Sequence, residues 1–392
     1  MNKMETQTPP QVTNLSASSR RLNRRAFLGR MATGAALLAP AAGVLAHPEG
    51  KAKGHHRRPN ENGLTEGDAA LLRFAAAVEI LETDFWVQYN ELAGIPDSEV
   101  PGGTPIPAYQ EAIKQLDEDM PQYIHDNTED EFTHFTFLNA YLVSKGAAPA
   151  NLDPFRTLPG SSATGSTGKL RLTNLTQLTL DTSWWTRYRD PDHNPDLDPD
   201  FVFPQAVPDL FVGEHTAIPR TDSDLKNADF VQAMANTAGF HFPTIEQGGN
   251  SLYPSMAQRA TSVEVLRILI SIGPTETMHF QTWQDKAGNA VPLDNVKDPV
   301  TGVSVTFPDL TKNQPETLQA NLIMPEPCPF LSRSLPACSI IRPTETEGIA
   351  MGVVKFLTDM GLFKGQPQAF FDLLQLLAED ADAAERECED ED

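Results

Sequence analysis

The sequence predicts a mainly α protein built on four core helices, with a long crossover insertion and a C-terminal extension. Three observations predict it. Apolar residues recur at helical spacing over about 65–92, over a stretch ending at Lys145 and over about 261–284. Each of these stretches carries acids on its apolar stripe, and two of them repeat the spacing Glu-x-x-His. With 392 residues, 40% of them hydrophobic and 21% charged, the chain is long enough for two or three domains, or for one domain with large insertions, and its composition is ordinary for a globular protein.

Residues 1–46 form a basic stretch followed by an Ala-rich apolar run from about Met31 to Leu45, too short for a comfortable membrane span. Arg24-Arg25-Ala26-Phe27-Leu28 resembles the twin-arginine export motif, and Val44 and Ala46 suit a cut before His47. The expected product is exported, periplasmic or secreted, with no integral membrane span in the mature chain. Removal of the segment takes away six basic groups and one acid, deepening the formal charge from −23 to −28. Such a field repels phosphate backbones and anionic headgroups, which argues against nucleic acid as a partner. Cysteines 328, 338 and 388 are too few and too scattered for a zinc ribbon or an iron–sulfur cluster; in an oxidising compartment Cys328 and Cys338 could pair.

Residues 47–64 are polar and read as a linker, with His55 and His56 in a solvated arm. Thr65-Glu66-Gly67-Asp68 then opens the first helix, which runs to about Leu92. A Pro/Gly-rich turn leads to a second helical stretch, interrupted at Pro121 and ending before Gly146. Residues 147 to about 225, rich in Pro, Asp, Thr and Ser, read as the insertion, with a short helix near 172–187. Over 226–260 the helical pattern is expected to break at Gly239, Pro243, Gly248, Gly249 and Pro254. Thr261-Ser262-Val263-Glu264 resembles a capping box for the fourth helix, in which Pro274 predicts a kink. The extension, 291–392, holds two helical patterns, 347–362 and 366–384, before an acidic tail with nine acids and one arginine.

At about 100° per residue, Leu71, Ala75, Val78, Phe85 and Tyr89 share one face of the first helix, opposite Arg73, Asp84, Gln88 and Glu91. Glu82 lies near the middle of the apolar face and Glu79 near its edge. A carboxylate so placed must be neutralised, paired or bound to a cation, because burying it alone costs several kcal/mol. Glu131 and His134 fall on the stripe of Ile124, Leu138 and Leu142; Glu276 and His279 align with Val265, Leu269, Ile272 and Trp283. A separation of three residues turns two side chains to nearly the same side, so each pair can reach one ion or two adjacent ones.

The segments LRFAAAVEILETDFW, EDEFTHFTFLNAYLVSKGAAP and ETMHFQTW resemble the ferritin-like four-helix bundle, and within it the ferritin-like proteins that include the desiccation-related group. The resemblance covers roughly 65–290, apart from the insertion. It implies a di-iron or di-manganese centre with Glu131, His134, Glu276 and His279 as ligands. Glu82 is the favoured ligand of the first helix, with Glu79 bridging or supporting. Glu246, with Tyr253 seven residues on, supplies the remaining corner, against Asp181 with Tyr188 as its rival. The activity implied is oxidase, peroxidase or catalase-like, with oxygen or peroxide as partner; the alternative is a stress- or desiccation-related protective protein whose site is vestigial or holds one ion. Among other patterns, the acid-rich run 190–200 has Pro195 where an EF-hand loop needs Gly, and no phosphate-binding glycine loop or hydrolase elbow occurs. Tryptophans 86, 184, 185 and 283 read as core filling.

Overall fold

The computed structural model describes residues 64–190, 193, 200–312, 324–326, 332, 334, 338–340 and 347–387. The expected export segment, nearly all of the expected 47–64 linker with His55 and His56, most of the 190–200 run, Cys328 of the expected disulfide and the last residues of the tail lie outside them. Among the described residues the chain is mainly helical, with three short antiparallel strand pairs. No helix among them is long and apolar enough to cross a membrane.

Helix α1 (Glu66–Ala93) starts as its sequence predicts, with the Thr65 side chain accepting from the Asp68 amide at 3.0 Å. After α2 (Pro107–Ile113) comes α3 (Met120–Ser144), in whose first turn Pro121 lacks only a donor that no carbonyl needs. The helix expected near 172–187 contracts to α4 (Ser183–Arg187). The amides upstream are drawn elsewhere: Leu172 and Thr173 donate to Asp84 at 2.9 Å each, and Leu178 pairs with His215.

The largest departure from expectation is α5 (Ala228–Arg259), which runs unbroken for 32 residues through Gly239, Pro243, Gly248, Gly249 and Pro254. It is buried along most of its length against α1, α2 and α6 (Val263–Ala287), and that burial outweighs the local cost of its Gly and Pro residues. Pro274 likewise lies inside a continuous α6. The carbonyl it leaves without a donor is that of Ile270, and both residues lie on the solvent side of the helix, where water can accept the exposed group.

Helices α1 and α3 run antiparallel, Arg73 meeting Ala148 and Glu79 meeting His134. So do α5 and α6, with Glu246 beside His279 and Tyr253 beside Gly273. Asp68 ties the two pairs together at one end by accepting from the Thr261 and Ser262 amides, at 2.9 Å each, just ahead of α6.

The polar side of α1 is not a solvated face. Asp84, Gln88 and Glu91 are buried under the insertion: Asp84 meets Thr173 and Arg156, and Glu91 pairs with Arg171 at 2.6 Å, next to the two-residue pair β1 (Leu158–Pro159) and β2 (Leu170–Arg171). Downstream, β3 (Leu293–Lys297) and β4 (Ser304–Phe307) form a hairpin, and β5 (Met324–Glu326) pairs with β6 (Cys338–Ile340). The extension then folds back. Helices α7 (Ile349–Asp359) and α8 (Gln368–Asp382) pack together and α8 lies on α1. Asp382 accepts from the first amides of α7, and Gln366 donates to the Leu172 carbonyl of the insertion.

Candidate metal centre

Halfway along the four long helices, their inward stripes bring acids and imidazoles into one enclosure. Glu79 from α1, Glu131 and His134 from α3, and Glu276 from α6 form one group of potential ligands. Glu131, Glu246 from α5, Glu276 and His279 form a second, and within each group one ligand atom per residue lies within 4.8 Å of all the others. Glu131 and Glu276 belong to both. Glu79, Glu131, Glu246 and Glu276 are fully buried, and His134 and His279 nearly so.

The imidazoles face the acids through Nδ1. His134 Nδ1 lies 3.0 Å from Glu131 Oε2, 3.2 Å from Glu79 Oε2 and 3.3 Å from Glu276 Oε1. His279 Nδ1 lies 3.3 Å from Glu131 Oε1, 3.4 Å from Glu246 Oε2 and 3.9 Å from Glu276 Oε2. The opposite nitrogens have acceptors. The Thr275 hydroxyl spends its one proton on the Ile272 carbonyl at 2.6 Å, so toward His134 Nε2, 3.2 Å away, it can only accept. His279 Nε2 lies 3.2 Å from Asp130 Oδ2. Both Nε2 atoms therefore carry protons, and each neutral ring would aim an Nδ1 lone pair at carboxylate oxygens. Only a second proton or a cation makes that arrangement favourable.

Protonation offsets part of the charge when no ion is bound. Burial works against the charged imidazoles, yet the surrounding glutamates raise both well above the usual histidine range. Burial, reinforced by neighbouring carboxyls, pushes Glu131 and Glu82 well up, and Glu246 to about 7. Against its own burial, Glu276 is held at about 2 by the two imidazoles. Several polar atoms still lack hydrogen bonds: both oxygens of Glu276, Glu246 Oε2 and His279 Nδ1. A cation suits these orphans. Adjacent ligands of a six-coordinate ion with bonds of about 2.1 Å sit about 3 Å apart, close to the spacing around His134. The four carboxylates would also balance two divalent charges.

A second layer fixes the acids. Asn127, one turn before Glu131, donates to Glu131 Oε1 at 2.8 Å and to Glu246 Oε1 at 3.1 Å, and accepts from the Trp283 indole at 2.6 Å. Trp86 donates to Glu246 Oε1 at 3.2 Å, and Tyr253 donates to Glu79. Gly249 of α5 lies where a Cβ would come within 2.8 Å of Glu276 Oε2. The glycine expected to weaken this helix thus gives the carboxylate its room.

All seven residues singled out in the sequence are buried or nearly so, and six of them enter the two groups. Glu82, although 4% exposed, belongs to neither group, while Glu79 belongs to the first. Asp181, the rival of Glu246, is engaged within the insertion by the Ser183 amide and Gln205, 2.9 Å from each. Sequence reasoning missed Asn127, Asp130 and Thr275, and took Trp86 and Trp283 for core filling alone. The i, i+4 spacing of Asn127 and Glu131 was the available signal. No protein-family model, curated protein or solved structure matches the chain.

Proposed function

We propose that the enclosure is a dinuclear iron or manganese centre in a ferritin-like four-helix bundle, and that the chain is an exported oxidoreductase acting on oxygen or peroxide. The observation that carries this reading is the pair of imidazole Nδ1 atoms, each facing three carboxylates with its Nε2 already committed to an acceptor. Glu79 and His134 would hold one ion, Glu246 and His279 the other, with Glu131 and Glu276 shared between them. Carboxylate and imidazole donors suit iron and manganese, which supply reversible one-electron changes to a reaction with oxygen or peroxide.

The protein's own part is positioning and proton handling. Asn127 and Trp86 restrain Glu131 and Glu246, Asp130 and Thr275 orient the imidazoles, and Tyr253 holds Glu79. Burial and the neighbouring carboxyls push Glu82 well up, which would suit it to hold a proton near the ligand glutamates. The twin-arginine resemblance supports export of the already folded chain, so that the ions would be loaded before translocation.

Metal analysis of protein folded in the cytoplasm tests the reading, together with oxygen and peroxide consumption by the loaded protein. About two iron or manganese ions per chain and turnover of either oxidant are expected. Metal-free protein of undiminished stability would overturn it and favour the protective role instead. Cell fractionation with Arg24→Lys/Arg25→Lys tests export, which should fail in the variant.

A further inference from the structure

A different group of ligands lies outside the enclosure, where the loop after α1 meets the first turns of α3. His125 on α3 is 4% exposed, and it gathers Asp97 and Glu99 of the loop with ligand atoms within 4.8 Å of one another. We infer that Asp97, Glu99 and His125 form a mononuclear site for a divalent first-row cation of the zinc or manganese type, separate from the dinuclear centre and not dependent on that reading.

The inference rests on the imidazole. Its Nδ1 lies 3.1 Å from Asp126 Oδ1, which, as a carboxylate oxygen, can only accept. Nδ1 therefore carries the ring proton, and a neutral ring presents its lone pair at Nε2. That atom is buried and makes no hydrogen bond. It points at Asp97 Oδ1, 3.2 Å away, an oxygen already occupied by the amides of Glu99 at 2.7 Å and Val100 at 3.0 Å. A lone pair directed at a saturated carboxylate oxygen is unfavourable unless a positive charge sits between or beside them. An acceptor on the far nitrogen, a buried near nitrogen without a hydrogen bond and two carboxylates within reach make the arrangement by which carboxylate-oriented histidines bind metal. Asp97 and Glu99 lie at the surface, so solvent can complete the coordination, and one imidazole with two carboxylates suits zinc or manganese. A second proton on His125 is the competing way to supply the charge, and it would leave no place for an ion.

Calorimetric titration of Zn²⁺ into the full-length, metal-loaded protein separates the two. Wild type should take up one more Zn²⁺ per chain than the double variant Asp97→Asn/Glu99→Gln, or bind it at least tenfold more tightly, with the same iron and manganese content in both. Asn at 97 keeps the oxygen that caps the loop amides, so the fold is preserved. In nitrogen-15 spectra of histidine-labelled wild type, Zn²⁺ should shift the His125 Nε2 signal to the metal-bound range and leave Nδ1 protonated. Equal uptake by wild type and variant, or a His125 ring that carries protons on both nitrogens and ignores Zn²⁺, overturns the site.

Discussion

Trp86 of α1 donates its indole N–H to Glu246 of α5 across 3.2 Å. The link has a counterpart in the reverse direction, Tyr253 of α5 donating to Glu79 of α1. Each aromatic stands seven residues after an acid of its own helix yet serves the acid of the opposite one. Two turns along antiparallel neighbours carry a side chain from its own acid's level to its partner's. The two helices are thereby locked in register by the groups that constrain the centre.

Asn127 should matter to metal retention well beyond its share of stability. Asn127→Leu removes the donor to Glu131 and Glu246 and leaves the Trp283 indole without its acceptor. Loss of such outer partners typically costs 10–100-fold in affinity. Chelator competition should show a weakening of that size, with the helical circular dichroism retained.

Gly249→Ala should separate helix stability from site integrity. An Ala in a helix interior is favoured over Gly by about 1 kcal/mol. Here the added Cβ would meet Glu276 Oε2 at 2.8 Å and displace a carboxylate shared by both groups. The variant should bind metal more weakly while its metal-free form melts no lower than that of wild type. Unchanged metal affinity would show that Glu276 is not held where the close approach requires.

His241 sets a pH dependence of its own. It is fully buried on α5, beside the Tyr89 hydroxyl at 2.9 Å, and burial lowers it to about 3 from an ordinary value of 6.5. The unfolded chain therefore binds a proton that the folded chain refuses between those values. The share of stability owed to a neutral His241 is intact above about pH 6.5 and is lost as the pH drops toward 3, by up to about 1.4 kcal/mol per pH unit. In denaturant titrations at pH 7, 6, 5 and 4, His241→Asn should lose less stability on acidification than wild type. Parallel slopes would contradict a neutral, buried His241.

Much of this architecture was legible in the sequence because burial and periodicity leave marks. The acids on the stripes of α3 and α6 proved to be buried where helical geometry put them, and the Thr65 cap formed as written. What could not be read was tertiary compensation. The breaks expected in α5 are absent because packing on three sides outweighs Gly and Pro. That Glu79 and not Glu82 enters the groups was hidden for a related reason. The insertion buries the polar side of α1, so the helix has no solvent face from which the centre of its inward stripe could be measured. Asp130 and Thr275 bear on the centre only through the far nitrogens of its histidines, a relation that exists only once the helices have met.

The central claim is that two ions share Glu131 and Glu276 while Glu79 and Glu246 each serve one. Metal content per chain in four single variants tests it most directly. From a wild-type value of about two, Glu79→Gln and Glu246→Gln should each fall to about one, whereas Glu131→Gln and Glu276→Gln should fall to near zero. Identical content in wild type and all four variants, or none in any, would contradict the account.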